Sequence, residues 1–374
     1  MKRSRKMTLA LFVAVGIVGL LLIVGSLNIG GDLVKREASQ AAATIMGADL
    51  AIDSVTGNPL RGYKLYGLHL RKGENVLFSA ESIGVKINLM SVLSKNPRLS
   101  QVAIEGIMAD ADLLAKEIAS MKVQPGGGES PVEELALKGG VVRSPWGETS
   151  ITKASISLGR ESIKTFLDIA MNSVPVKGDI ALKRTEKGLD LKDLDLRVGD
   201  GKVKVNGSVM PALSLKGDLN KLNVAQIVHL WPVLPMDSYD GTLSVRFSAN
   251  GTWDNPQLQG HLSFAGVSLA GYPVQEVESD LKYENFRLDL DNLQGAVFAL
   301  PLQGRATAAF APGKVPSLDL ALRGEKVSLA NLRDKFPALS SVKGTVDSFS
   351  VSLKGSVTAL SGSIDLKASQ IEAY

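Results

Sequence analysis

The sequence predicts a mainly β protein: an elongated, mostly antiparallel sheet with short inserted helices, preceded by a transmembrane helix at the N-terminus. Three observations carry this. Apolar residues recur at every second position, as in Leu243, Val245, Phe247 and Ala249 interleaved with Thr242, Ser244, Arg246 and Ser248. That period gives a strand one apolar and one polar face, the antiparallel pattern rather than the all-apolar strands of a parallel sheet. An uncharged run fills residues 7–29 behind Lys2, Arg3, Arg5 and Lys6. A short capped helix followed by a glycine-led strand recurs along the chain.

The run at 7–29 comes first. Roughly 20 apolar residues cross a bilayer as a helix, and Leu9, Leu11, Phe12, Val13, Ile17, Leu20, Leu21, Leu22 and Ile23 supply the anchor's surface. Cationic flanks stay cytoplasmic, so residues 1–29 read as a cytoplasmic tip and anchor, and everything after Asp32 is exported. Val24-Gly25-Ser26 offers a small-residue cleavage site, which makes a cleaved signal peptide the alternative. The run is longer than a usual signal core, which favours an uncleaved anchor. The segment has a bacterial character. The expected location is therefore the bacterial inner membrane, single-pass, with the bulk of the chain in the periplasm.

Residues 30–48 read as a connecting helix that Asp32 caps and Gly47 stops, with Leu33, Glu37, Ala41 and Ile45 along one face. A β region follows at 49–123. In it Ile83, Val85, Ile87 and Leu89 alternate with Gly84, Lys86 and Asn88, and a short helix starts near Asp110 and Asp112. QPGGGESPVEE, residues 124–134, has Gly and Pro but no apolar periodicity and reads as a loop or linker. Residues 135–374 form the repeated β region. Its inward candidates are Ile180 and Leu182; Leu243, Val245 and Phe247; Leu262 and Phe264; Leu288 and Leu290; Leu318, Leu320 and Leu322; and Ile364 and Leu366.

The repeat itself is specific. NVAQIVHLWPVL (223–234) and SLANLRDKFPAL (328–339) match position by position: Asn223 with Ser328, Ile227 with Leu332, Trp231 with Phe336, Pro232 with Pro337. Asn or Ser caps a short helix, apolar residues form one face and proline ends it. LSLKGDL and LALRGEK precede the two copies; GTLSV and GTVDS follow them. SIKTFLDIA (162–170) reads as a weaker third copy. Short helices are thus expected near 162–170, 223–231 and 328–336. The unequal spacing means a repeated unit with a variable number of strands, not a fixed-period solenoid.

Composition excludes several function classes. There is no cysteine, so disulfide and thiolate chemistry are out. His69, His229 and His261 are too scattered for a metal site. Setting the four N-terminal cations aside, 38 basic residues face 38 acidic ones, which leaves no electrostatic footprint for nucleic acid. Asp190, Asp193 and Asp195 interleave with leucines and read as a strand's solvated face rather than a calcium site. Gly139-Gly140 lacks the Lys-Ser/Thr of a phosphate loop. Trp146, Trp231 and Trp253 sit beside Pro or Gly, where packing at loop ends is expected. No catalytic, cofactor-binding or metal-binding residues are assigned, and the chain reads as a non-enzyme.

The order of segments resembles the start of the AsmA-like proteins, the group that includes TamB. The resemblance is carried by the Gly47–Ile52 strand; by Gly62, Leu65, Gly67, Leu68 and Leu70; and by the alternating strand from Ser82 to Leu89. The SVLSKNP link, the strand from Leu99 to Gly106 and the GTWDNPQLQGHLSF type of segment complete it. The resemblance implies a sheet curled lengthwise into an open hydrophobic groove in which phospholipid acyl chains slide, and a role in outer-membrane biogenesis and lipid homeostasis. Members of the group are longer, so the chain is expected to be a short member or an N-terminal part. The physics is compatible: each CH₂ removed from water contributes about 0.8 kcal/mol without any directed bond. Some 20 to 25 strands at roughly 4.8 Å would extend on the order of 100 Å. A sandwich with a sealed core shows the same alternation, although only 5% of residues are aromatic. The expected partners are phospholipid, the inner membrane and outer-membrane or envelope proteins. The alternative function is a periplasmic scaffold or assembly factor for outer-membrane proteins, acting through strand edges or surface contacts.

Overall fold

The structure, a computed structural model, describes residues 35–373 apart from 37, 41, 44–46, 59, 89–90, 92–97, 121–131, 145–146, 187, 231–239, 270–271, 298–299, 311–314, 330–341 and 357–358. The chain is mainly β. Nearly every ladder is antiparallel, and the chain divides into two compact units. The expected anchor, Leu9 to Ile23, lies outside the described residues. Among those described, no helix is long and apolar enough to cross a membrane.

Unit 1 comprises residues up to Glu186 together with Lys192–Arg197. Helical residues within 35–43 open it, and Gly47, the expected stop, takes a left-handed φ of 58°, the conformation of an αL helix stop. Gly47 N–H donates to Ala43 O at 3.0 Å and Ala48 N–H to Ala42 O at 3.4 Å. Ala38 and Ala42 are buried, and Ser39 Oγ donates to Leu50 O at 2.7 Å, which ties the helix to the first strand. That strand, β1 (Asp49–Asn58), starts a meander with β2 (Gly62–Lys72), β3 (Asn75–Asn88) and β4 (Arg98–Asp110). Asn58 Oδ1 accepts from the Leu60 and Arg61 N–H groups and closes the first turn.

Helix α1 (Ala111–Ser120) follows β4 directly. Asp110 caps it: Oδ1 accepts from Asp112 N–H at 3.0 Å and Leu113 N–H at 2.9 Å. The next strand, β5 (Glu134–Ser144), pairs with β4 in parallel, an exception to the expected antiparallel pattern. Parallel neighbours require a long crossover, and α1 with residues 121–131 supplies one. The segment 124–134 is therefore not a domain boundary. Its far end is built into unit 1, where Val132 is buried and bridges Leu99.

β6 (Gly147–Leu158), β7 (Ser162–Met171) and β8 (Val174–Thr185) complete the antiparallel run. β7 corrects the expected helix at 162–170. Ile163, Phe166 and Ala170 do fit a helical face. However, Ile163, Thr165 and Ile169 are β-branched and suit a pleated surface, and the segment is laddered on both sides. The apolar faces of β1 to β6 seal one core with Ala38, Ala42 and Leu114 of the helical segments; Leu68, Leu70, Val102 and Ile104 lie at its centre.

Unit 2 comprises Lys187–Leu191 and residues from Val198. The strand β9 (Gly188–Val198) is thus divided between the units. β10 (Gly201–Met210) and β11 (Leu213–Asn223) lead to helix α2 (Val224–Leu230), which lies where the repeat places a helix. Asn223 Oδ1 accepts from Gln226 N–H at 3.1 Å, and Val228 is buried beneath the helix. The strands β12 (Thr242–Gly251) and β13 (Pro256–Ala265) form the hairpin read from the sequence, closed by paired backbone bonds between Thr252 and Asn255. The short β14 (Val267–Leu269) pairs with β15 (Tyr272–Glu284). Then β16 (Arg287–Val297), β17 (Leu300–Ala309), β18 (Ser317–Ser328), β19 (Val342–Ser356) and β20 (Ala359–Ala373) follow, each antiparallel to the last. Of the helix expected near 328–336, Ser328 ends β18 and Leu329 is buried, while the rest lies outside the described residues.

Candidate functional site: the apolar face of unit 2

Strand register turns the sequence alternation into rows across unit 2. In one row Leu215 faces Ala249, and Leu258, Tyr283, Leu288, Ala308 and Leu318 follow on successive strands. The next row runs Gly217, Phe247, Gly260, Leu281, Leu290, Ala306, Leu320 and Leu353. Leu243 pairs with Phe264, Val245 with Leu262, and Leu322 with Val351, which in turn faces Ile364. Opposed residues share a sheet face, so candidates from β12, β13, β16, β18 and β20 lie on a common apolar surface.

That surface is not sealed. Leu262 and Ala249 are buried, but Leu243, Val245, Phe247, Phe264, Leu288, Leu290, Leu318, Leu320 and Leu322 are only half-buried. At β20, Ile364 is 72% exposed and Leu366 60%. Among the described residues, the contiguous buried core belongs to unit 1 alone. Its candidates have a different fate. Ile83 and Val85 are only 1% and 8% exposed inside that core, Ile87 packs against it, and Leu89 lies outside the described residues. Ile180 and Leu182, on β8, are half-buried.

Two aromatic rings shape the face. The ring of Phe247 lies in the space that a Cβ on Gly217 would fill, and Phe349 lies likewise over Gly324. Each glycine stands opposite its phenylalanine in the ladder and belongs to the strand that precedes a copy of the sequence repeat. A ring laid flat on a glycine adds apolar area without relief. Sequence reading found Phe247 by its parity but missed its relation to Gly217, because the pairing register was unknown. The repeated Gly in LSLKGDL and LALRGEK was the available signal.

The opposite face satisfies itself with cross-strand polar contacts. Arg246 lies 3.7 Å from Asp218, His261 Nδ1 3.2 Å from Asp280, and Lys354 Nζ 3.0 Å from Asp319. Hydrogen bonds from Asn292 and then His261 hold the Asp280 carboxyl below its usual value. At Asp289 burial, which would raise the pKa, is outweighed by hydrogen bonds from Thr307 and Arg287 and by the Arg287 charge, so it too lies low. Asp190, Asp193 and Asp195 lie along β9, and no group of three or more potential metal ligands occurs among the described residues. Unit 1 carries a shallow cavity of 720 Å³ whose wall includes His69, Glu81, Glu105 and Lys138, with Gly106 and Gly139 between them. Glu105 is already engaged there, by Lys64 at 3.1 Å and Ser82 Oγ at 2.9 Å.

Comparison of the chain with protein-family models, curated proteins and solved structures finds no match.

Proposed function

We propose that the chain is an inner-membrane-anchored periplasmic protein of AsmA-like type that binds phospholipid acyl chains and conducts them along the apolar face of its sheet, without enzymatic chemistry. The observation that supports this is the unsealed face of unit 2: large aliphatic side chains in register across many strands, half-exposed, with charges confined to the other side. An exposed aliphatic floor is costly in water unless something apolar covers it. An acyl chain covers it without directed bonds, so the lipid remains free to slide. A groove closed around that floor is part of the proposal, as is the role in outer-membrane biogenesis and lipid homeostasis.

Site-specific photo-crosslinking in cells tests the reading. Probes at Val245 and Leu320 are expected to give phospholipid adducts, and probes at Arg246 and Asp319, on the opposite face, none. Protein adducts alone at Val245 and Leu320, or no adducts at either, sink it. A second reading, a scaffold for outer-membrane proteins, draws support from β20. Among the described residues that strand pairs with β19 only, and an open strand edge accepts a partner's strand. Adducts to an outer-membrane protein from Ile364, with no lipid at Val245, would favour it.

A further inference from the structure

Antiparallel strands reverse at each turn, so the turns after β10, β12, β15, β17 and β19 all lie along the same edge of unit 2's sheet. Large apolar residues stand exposed along that edge: Met210, Trp253, Phe286, Phe310, Val315 and Leu360. Neighbouring turns are tied together. Trp253 Nε1–H donates to Val209 O at 2.9 Å, Gln257 Nε2 to Glu284 Oε1 at 2.9 Å, and Phe310 N–H to Phe286 O at 2.7 Å. The row is therefore a built rim, not scattered exposure.

Phe286 adds an independent observation. It occupies the two-residue turn between β15 and β16 with φ of 60°, after Asn285 at 51°. Positive φ at both central positions defines a turn that favours Asn-Gly. A bulky side chain there is a conformational outlier, yet Phe286 is 42% exposed and contributes little to a core. Strain held at an exposed apolar tip points to contact rather than folding.

We infer that this rim docks on a lipid bilayer surface. The residues linking these strands include only Asp254 and Lys314 as charges, which cancel, so no strongly charged partner is matched. Trp253 is 58% exposed with its N–H already satisfied by Val209, which suits an indole seated at the membrane interface. The anchor proposed at 7–29 would hold the chain at a bilayer. The inference rests on the anchoring proposed above but not on acyl chains occupying the groove.

The test uses the full chain in phosphatidylcholine vesicles, with Trp146→Phe and Trp231→Phe leaving Trp253 as sole indole. Brominated lipid acyl chains are expected to quench Trp253, and Phe286→Ser with Phe310→Ser to abolish that quenching. Phe286→Gly provides a variant that folds at least as well, because glycine accepts the positive φ. It is expected to raise the melting temperature while weakening the quenching. Vesicle flotation with Trp253 open to aqueous iodide and untouched by bromine overturns the rim but leaves the anchor standing. Failure to float overturns both. Bromine quenching that survives the Phe substitutions removes the rim as a unit. Shielding from iodide that grows with protein concentration in the absence of lipid assigns the edge to a second copy of the chain instead.

Discussion

At the scale of single residues, Gly217 and Phe247 show how a side chain's absence can matter as much as its presence. An alanine methyl at position 217 enters the space of the Phe247 ring. Forcing extra volume into a packed site costs about 1–3 kcal/mol. Gly217→Ala should therefore lower the denaturation midpoint and lift the ring off the floor of the apolar face. Adding Phe247→Leu should recover most of the loss, because the smaller side chain vacates the space; this coupling is what a double-mutant cycle reads. A neutral Gly217→Ala would mean that the ring does not lie there. Glu105 gives a pH-dependent counterpart. Hydrogen bonds from Lys64 and then Ser82, with the Lys64 charge, hold its carboxyl below the usual value of 4.5. A carboxylate whose folded pKa is depressed adds stability above its unfolded pKa and loses it as pH falls through the lower folded one. Acid titration of stability should thus be shallower below pH 4.5 in Glu105→Gln than in the parent chain. Identical profiles would show that the triad contributes nothing.

At the scale of elements, period-two alternation identified strands but could not say what lay over them. Ile83 and Val245 sit in the same kind of pattern, yet one is sealed in a core that also holds Ala38, Ala42 and Leu114 and the other is half-exposed. The difference lies in helical segments that meet β1 to β5 only after folding, which no local pattern records. Helix α2 was legible because the cap residue, apolar face and following proline of its sequence agree. SIKTFLDIA had the spacing and, in Ser162, a cap residue, but its β-branched residues and two neighbouring ladders made it β7. The parallel pair of β4 and β5 was hidden in the 124–134 segment, whose glycines mark a loop equally well inside a unit or between two. Asp110 was legible as a helix start, and its two hydrogen bonds make a measurable claim. Replacing an N-cap Asp by Ala costs roughly 0.5–2 kcal/mol. In Asp110→Ala, amide exchange should quicken through α1 while the distant strands of unit 2 keep their protection. Unchanged exchange in α1 would show that packing of Leu114 holds the helix without its cap.

At the scale of the whole molecule, the two units bury apolar surface differently, and that should appear as a difference in stability. Unit 1 has the contiguous core; the apolar face of unit 2 is half-buried across most of its strands. Regions with few buried apolar contacts open at lower free energy. Without lipid, amides of β12 to β18 should exchange before those at the centre of unit 1, such as Val102 and Ile104. A ligand that binds only the folded state stabilises it by mass action, by about 2.7 kcal/mol at 100 times its Kd. A short-chain phospholipid below its micelle concentration should therefore slow exchange in β12 to β18 and leave Val102 and Ile104 unchanged. Leu320→Asp places a charge on the floor and should remove the lipid-dependent protection. Leu68→Ala, in the sealed core, should cost about 2–5 kcal/mol in unit 1 yet leave the protection by lipid intact in unit 2. The outcome that sinks the proposal is uniform protection of both units, or none, since either would mean that the exposed aliphatic rows of unit 2 are not where lipid binds.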